Sequence, residues 1–241
     1  METLSQRVTG ILRDWILHGR FKAGQRIEEI PLATMLAVSR TPVRSALATL
    51  ITEGLIVYQP KSGYMVREFD LRDILLAYEV RAALEGLSCR RAAITGLNQA
   101  QRDTLRNCLA TGDRILSKGI LDPSEHEPYQ KINVELHDTL LAASSNPWLE
   151  RFVLQAQNIP YASSRIVLWD EPFDVIHRSH DDHHRIVEAV LERNGTRAEY
   201  LMSEHVYYAG VIFKKSFERR MTQGSAPADS TDLASEKRIP C

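Results

Sequence analysis

The run LATMLAVSRTPVRSALATLITEGLIVYQPKSGYMV, from Leu32 to Val66, leaves the first third of this chain few folds to choose from. A short helix is predicted over about residues 30–36, beginning near Pro31. Ala37 and Val38 make a tight turn, and Ser39 is placed to cap the next helix. That helix is expected over residues 40–53, with Pro42 tolerated in its first turn and Gly54 ending it. Two short apolar strands, 55–58 and 64–67, flank the turn Gln59-Pro60-Lys61-Ser62-Gly63. Upstream, Leu4, Val8, Ile11, Leu12, Trp15 and Ile16 fall on one helical stripe. Helix, helix, turn, helix and wing together predict a winged helix-turn-helix over residues 1–68.

Such a fold lays the start of its last helix in the DNA major groove. Here that start is Ser39-Arg40-Thr41-Pro42-Val43-Arg44. Arg40 and Arg44, four residues apart, project from one face. Arginine there can hold guanine O6 and N7 through two hydrogen bonds. The Ser39 and Thr41 hydroxyls suit phosphates, helped by the helix N-terminal dipole. Lys61 and Gly63 sit at the wing tip, within reach of the minor groove or backbone. A protein-interaction module with solvated arginines would show the same pattern.

Charge agrees with a local DNA contact. The whole chain carries a net charge of −1, which excludes wholesale coating of nucleic acid. Residues 1–68, however, hold nine basic and six acidic side chains, so the head is basic and the body acidic. Three cysteines without paired spacing point to a reducing compartment. No apolar run reaches the length of a membrane span. The amphipathic opening segment lacks a small-residue cleavage site and is not read as a signal peptide. The expected location is cytoplasmic.

From Leu71 only helical periodicity remains. Six helices are predicted, over about 71–96, 98–118, 124–145, 147–167, 172–193 and 195–220. The fold class is therefore mostly α: a winged head to residue 68, an all-helical bundle over 71–221, and a small, polar, disordered tail over 222–241.

Within the bundle, Asn133 and His137 are four residues apart, beside the apolar stripe of Ile132, Leu136 and Leu140. His183 shares a stripe with Ile176, Val187 and Val190. His205 lies among Ala198, Leu201, Met202, Ala209 and Ile212. One inward histidine is usually a satisfied core residue. Three from three helices can share a divalent ion, which gives each buried imidazole a partner. His184 falls about 100° from His183 and is expected to be exposed; His180 is nearer the stripe. Arg81 lies inward with Ile74, Tyr78 and Glu85. A buried arginine needs an anion, either Glu85 one turn on or a bound carboxylate. Arg165, Trp169 and Arg178 are further candidates for the rim of such a pocket.

The string LAxxLxVSRTPVRxALxxLxxEGL with its PxxG wing resembles the winged helix of the GntR family of bacterial regulators. Two positions depart from the family: Ile30 replaces a frequent basic residue, and Ala23-Gly24 replaces Pro-Gly. The strings YEVRAALEGLSCRRAA, INVELHDTLLAASSNPWL, DDHHRIVEAVLERN and MSEHV resemble the FCD ligand-binding domain of the FadR subfamily. That resemblance implies a metabolite-responsive regulator, most simply a repressor, acting as a homodimer on two-fold operator DNA. It implies a metal held by Asn133, His137, His183 and His205: zinc first, with nickel or manganese as other options. Asn133 stands where relatives often carry Asp, which weakens the ligand set. It also implies a small organic-acid or sugar-acid effector, held by Arg81 and Arg165. A metal-dependent enzyme using the three histidines is the alternative, although no HExxH, nucleophile elbow or phosphate loop is present.

Overall fold

The computed structural model describes residues 3–17, 20–159, 161–164, 167–169 and 171–222. Arg165 and the expected tail beyond Thr222 lie outside the described residues. Two compact units emerge, one up to Asp73 and the other made of Ile74–Gln157 with Ala162–Arg219.

In the first unit, α1 (Leu4–Leu17), α2 (Glu29–Met35) and α3 (Arg40–Thr52) pack around Val8, Leu12, Leu32, Val43, Leu47 and Leu50. These positions recur every three or four residues, so each helix turns one apolar stripe inward. Arg13 of α1 grips Glu53 after α3 with two hydrogen bonds, at 2.9 and 2.5 Å. The turn between α2 and α3 carries Ala37 at φ 53. Ser39 occupies the cap of α3 with an extended backbone but makes no side-chain cap bond, contrary to expectation. Its hydroxyl is not spent on the helix.

The wing is β2 (Ile56–Gln59) and β3 (Gly63–Val66), antiparallel, with Tyr58 opposite Tyr64. A third strand, β1 (Arg26–Ile27), pairs with β3 on its other side, giving the order β1-β3-β2. Two residues are too few for an alternation pattern, so β1 could not be read from the chain.

The second unit holds α4 (Leu71–Thr95, whose first turn precedes the division), α5 (Gln99–Leu116), α6 (His126–Ala143), α7 (Pro147–Gln157), α8 (Phe173–Leu191) and α9 (Gly195–Thr222). Asn98 and Gln101 form a capping box that starts α5. The predicted helix 147–167 is shorter than expected: α7 stops at Gln157, and residues 162–164 form a connecting segment. α4 buries residues over a wide arc, many of them small: Ala77, Ala82, Gly86, Ser88, Ala92 and Ala93. Small residues let neighbours approach. A Cβ on Gly86 would run into Ser203 Oγ and stand 2.9 Å from the Glu199 carbonyl of α9. Ser203 Oγ donates to the Ala82 carbonyl at 2.9 Å across that joint. Among the described residues, no helix is long and apolar enough to cross a membrane.

Candidate functional site

The DNA-reading candidates Ser39, Arg40, Thr41 and Arg44 all lie exposed at the start of α3, and Lys61 is exposed at the wing tip beside half-buried Gly63. Lys61 takes φ 77, an uncommon backbone setting for a side-chain-bearing residue. The structure adds a residue that periodicity did not reveal. Glu29 of α2 accepts hydrogen bonds from both Arg40 and Arg44. Arg44 first, then Arg40, pulls its carboxyl down to about 2. The acidic pair Glu28-Glu29 ahead of the turn thus supplies an organising contact through Glu29. Two successive helices meet there, at sequence separations no helical spacing predicts.

In the helical unit, three α-helices bring His137, His183 and His205 together. All three are buried, and their nearest ligand atoms lie within 4.8 Å of one another. The Nε2 atoms of His183 and His205 are 3.2 Å apart. Ring centroids of His137 lie 5.4 Å from His183 and 5.3 Å from His205. Burial first, and the other imidazoles second, push His183 well below its ordinary value and His205 down to about 3. Both are thus neutral, the form that ligates metal.

His137 is aimed from behind. Its Nδ1 donates to Glu85 Oε2 at 2.8 Å, and Arg81 Nε donates to Glu85 Oε1 at 2.7 Å. Burial alone would raise the Glu85 carboxyl. Arg81 and His137 outweigh it and hold the group well below the usual carboxylate range. An ionised Glu85 fixes the proton of His137 on Nδ1, which leaves Nε2 with its lone pair. A carboxylate behind a ligating histidine is the usual outer support of a metal site. Glu85 had been placed only as a pairing partner for Arg81; its second partner, 52 residues away, was not legible.

His137 and His205 line a cavity of about 100 Å³ with Tyr78, Tyr129, Asn133, Ser164 and Asp182. Arg81 lines it too while paired with Glu85. Asn133 Nδ2 donates to the Ser164 carbonyl at 2.7 Å, which reserves the amide oxygen for another partner. Asp182, missed from sequence, is buried with its Oδ2 4.0 Å from His205 Nδ1. Burial raises its carboxyl against the pull of Arg178 and Arg185. Trp169 and Arg178 do not line the cavity. Each touches a residue that does: Trp169 meets Tyr129 edge-on at 6.2 Å, and Arg178 lies over Tyr208.

The donor set fits a divalent transition ion. Three imidazoles converge, one with a carboxylate behind it, and an amide oxygen lies one turn from His137. His180 and His184 do not join this cluster. They turn to Asp113 instead.

The chain compares with known proteins in both units. Residues 4–66 match the family described as bacterial regulatory proteins, gntR family, and residues 76–207 match the FCD domain. The Nta operon transcriptional regulator of Aminobacter aminovorans is 28% identical, over 77% of this chain and 83% of its own. The HTH-type transcriptional repressor GlaR of Escherichia coli (strain K12) is 26% identical, over 81% of this chain and 89% of its own. The solved structure of E. coli McbR/YncC superposes with a TM-score of 0.71 at 20% identity, covering 90% of this chain and all of that one. That last likeness speaks for the fold. The family and the named relatives are regulators, which sets aside the metal-dependent enzyme. The chain belongs to the GntR family of bacterial transcriptional regulators, in the group that joins a winged helix-turn-helix to an FCD domain.

Proposed function

We propose that the protein is a metal-containing, carboxylate-responsive repressor. Residues 1–68 read operator DNA through Ser39, Arg40, Thr41 and Arg44, with Lys61 and Gly63 of the wing. Residues 71–221 sense the effector. The observation that carries this reading is the charge balance of the buried cavity. His183 and His205 are held neutral, Asn133 is neutral, and Arg81 and Glu85 cancel. Asn133, His137, His183 and His205 would hold the ion, zinc first and nickel or manganese otherwise. The ion would supply a Lewis-acidic anchor for an anion. Among the described residues lining the cavity, Asp182 alone then offers a carboxylate, and burial works against its ionisation. A buried excess of positive charge calls for an anionic ligand. The Arg81 guanidinium has donors beyond the Nε used by Glu85 and can grip a carboxylate. Small organic acids and sugar acids match the cavity in charge.

A homodimer supports two-fold operator recognition. Leu76, Val80, Leu87 and Ile94 of α4 are exposed, the last three at seven-residue intervals, an apolar strip that a second copy would cover. Effector binding would shift the population of DNA-competent dimers.

The test is release of operator DNA by a panel of small carboxylates, with metal-loaded and metal-stripped protein side by side. The reading expects one or more acids to release DNA only from loaded protein. Release that is indifferent to metal would overturn the metal's role. Loaded protein that no acid releases, but a neutral metabolite does, would overturn the carboxylate.

A further inference from the structure

We propose that Asp113, His180 and His184 form a second divalent-metal site, distinct from the three-histidine cluster and open to solvent. α8 carries His180, His183 and His184. At about 100° per residue, His183 turns toward His137 and His205 while His180 and His184, one turn apart, share a neighbouring face. Across from that face stands Asp113 of α5. Its Oδ1 lies 3.0 Å from His180 Nε2 and 2.8 Å from His184 Nε2. The two ring nitrogens converge on one oxygen, and all three ligand atoms fall within 4.8 Å. Ligands bound to one zinc at about 2.0–2.2 Å stand roughly 3.3–3.5 Å apart, so small side-chain adjustments suffice to admit an ion. The rings meet at 87° with centroids 5.0 Å apart, edge to face rather than stacked.

The arrangement is built into the packing. A Cβ on Gly112 would collide with the His180 ring and stand 2.7 Å from its Nδ1. A bare backbone at 112 therefore lets α8 seat His180 against α5, next to Asp113. Tyr129 closes the other side, meeting the His180 ring at 60° and 6.2 Å. His180 is buried, whereas the Asp113 and His184 side chains are 55% and 41% exposed. One ligand is fixed and two face water, leaving coordination positions for solvent. Two imidazoles and one carboxylate select borderline divalent ions such as zinc, nickel or cobalt. Magnesium and calcium require more oxygens. Metal here would pin α5 to the helix that carries His183, so an exchangeable outer ion and a buried inner one would share one scaffold.

The experiment uses the full chain, stripped by chelator and titrated with cobalt(II) by calorimetry, with elemental analysis after desalting. Wild type is expected to take two equivalents per chain. His184→Gln and Asp113→Ala, both at partly exposed positions, should each lose one and melt within a few degrees of wild type. His183→Ala should lose a different one, so the inner and outer sites fail separately. His177→Gln removes another exposed imidazole of α8, paired with Asp181, and should keep both. The proposal is overturned if neither His184→Gln nor Asp113→Ala loses an equivalent, or if His177→Gln loses the same one.

Discussion

Glu29 receives Arg44 through both carboxylate oxygens, Nε on Oε1 and Nη2 on Oε2, each at 3.0 Å. Arg40 shares Oε2 at 2.8 Å. One carboxylate on α2 thus pairs with two guanidinium groups at the start of α3. If α3 reads DNA as proposed, the clamp would preset the direction of both and oppose indiscriminate phosphate binding.

Glu29→Gln should accordingly tighten non-specific DNA binding and lower the specificity ratio. Removing one negative charge from the interface should steepen the slope of log K against log salt by up to about one. Fluorescence anisotropy on operator and scrambled duplexes, from low to moderate salt, measures both. An unchanged ratio would show that the clamp is incidental to reading.

Arg44→Ala should weaken operator binding by about 1–3 kcal/mol if the side chain reads a guanine. Affinity for scrambled DNA should fall much less. A gel-shift titration decides it; equal losses on both duplexes would reassign Arg44 to phosphate contact.

Metal should stabilise the chain through the buried histidines. At a free metal concentration 100 times Kd, the gain is about 2.7 kcal/mol, or about 5–10 °C in melting temperature for a unit of this size. His183→Ala should lose that increment and the equivalent of metal that survives a brief chelator wash. A full shift in His183→Ala would refute the inner site.

Arg81→Ala is a poor probe of the effector. It leaves a buried Glu85 charge with His137 alone, at a cost of about 3–5 kcal/mol. Arg81→Lys keeps the charge and loses the planar fork. Operator release should then need more than tenfold higher effector, with melting displaced only slightly. An unchanged midpoint with a lowered melting temperature would confine Arg81 to pairing with Glu85.

Periodicity carried the sequence reading a long way where the relevant contacts follow helical spacing. His183 and His205 were placed inward because neighbours three and four residues away are apolar, and both are buried. Contacts that no period records stayed hidden. Asp113 meets His184 across 71 residues, and Glu29 meets Arg44 across 15. The end of α7 was also illegible: the apolar pattern runs past Gln157, and the chain leaves the helix to carry Ser163 and Ser164 to the cavity wall.

The bare joint at Gly86 has a bearing on ligand size. α4 carries Arg81 and Glu85 just ahead of Gly86, and α9 carries His205 just beyond Ser203. The gap between guanidinium and imidazole is therefore gauged by a hydrogen atom at position 86. A single methyl there would act as a shim, prying the two helices apart and widening the chamber while leaving every lining residue intact. On the proposed reading, a chain of this design would drift toward bulkier ligands through a position that never meets them.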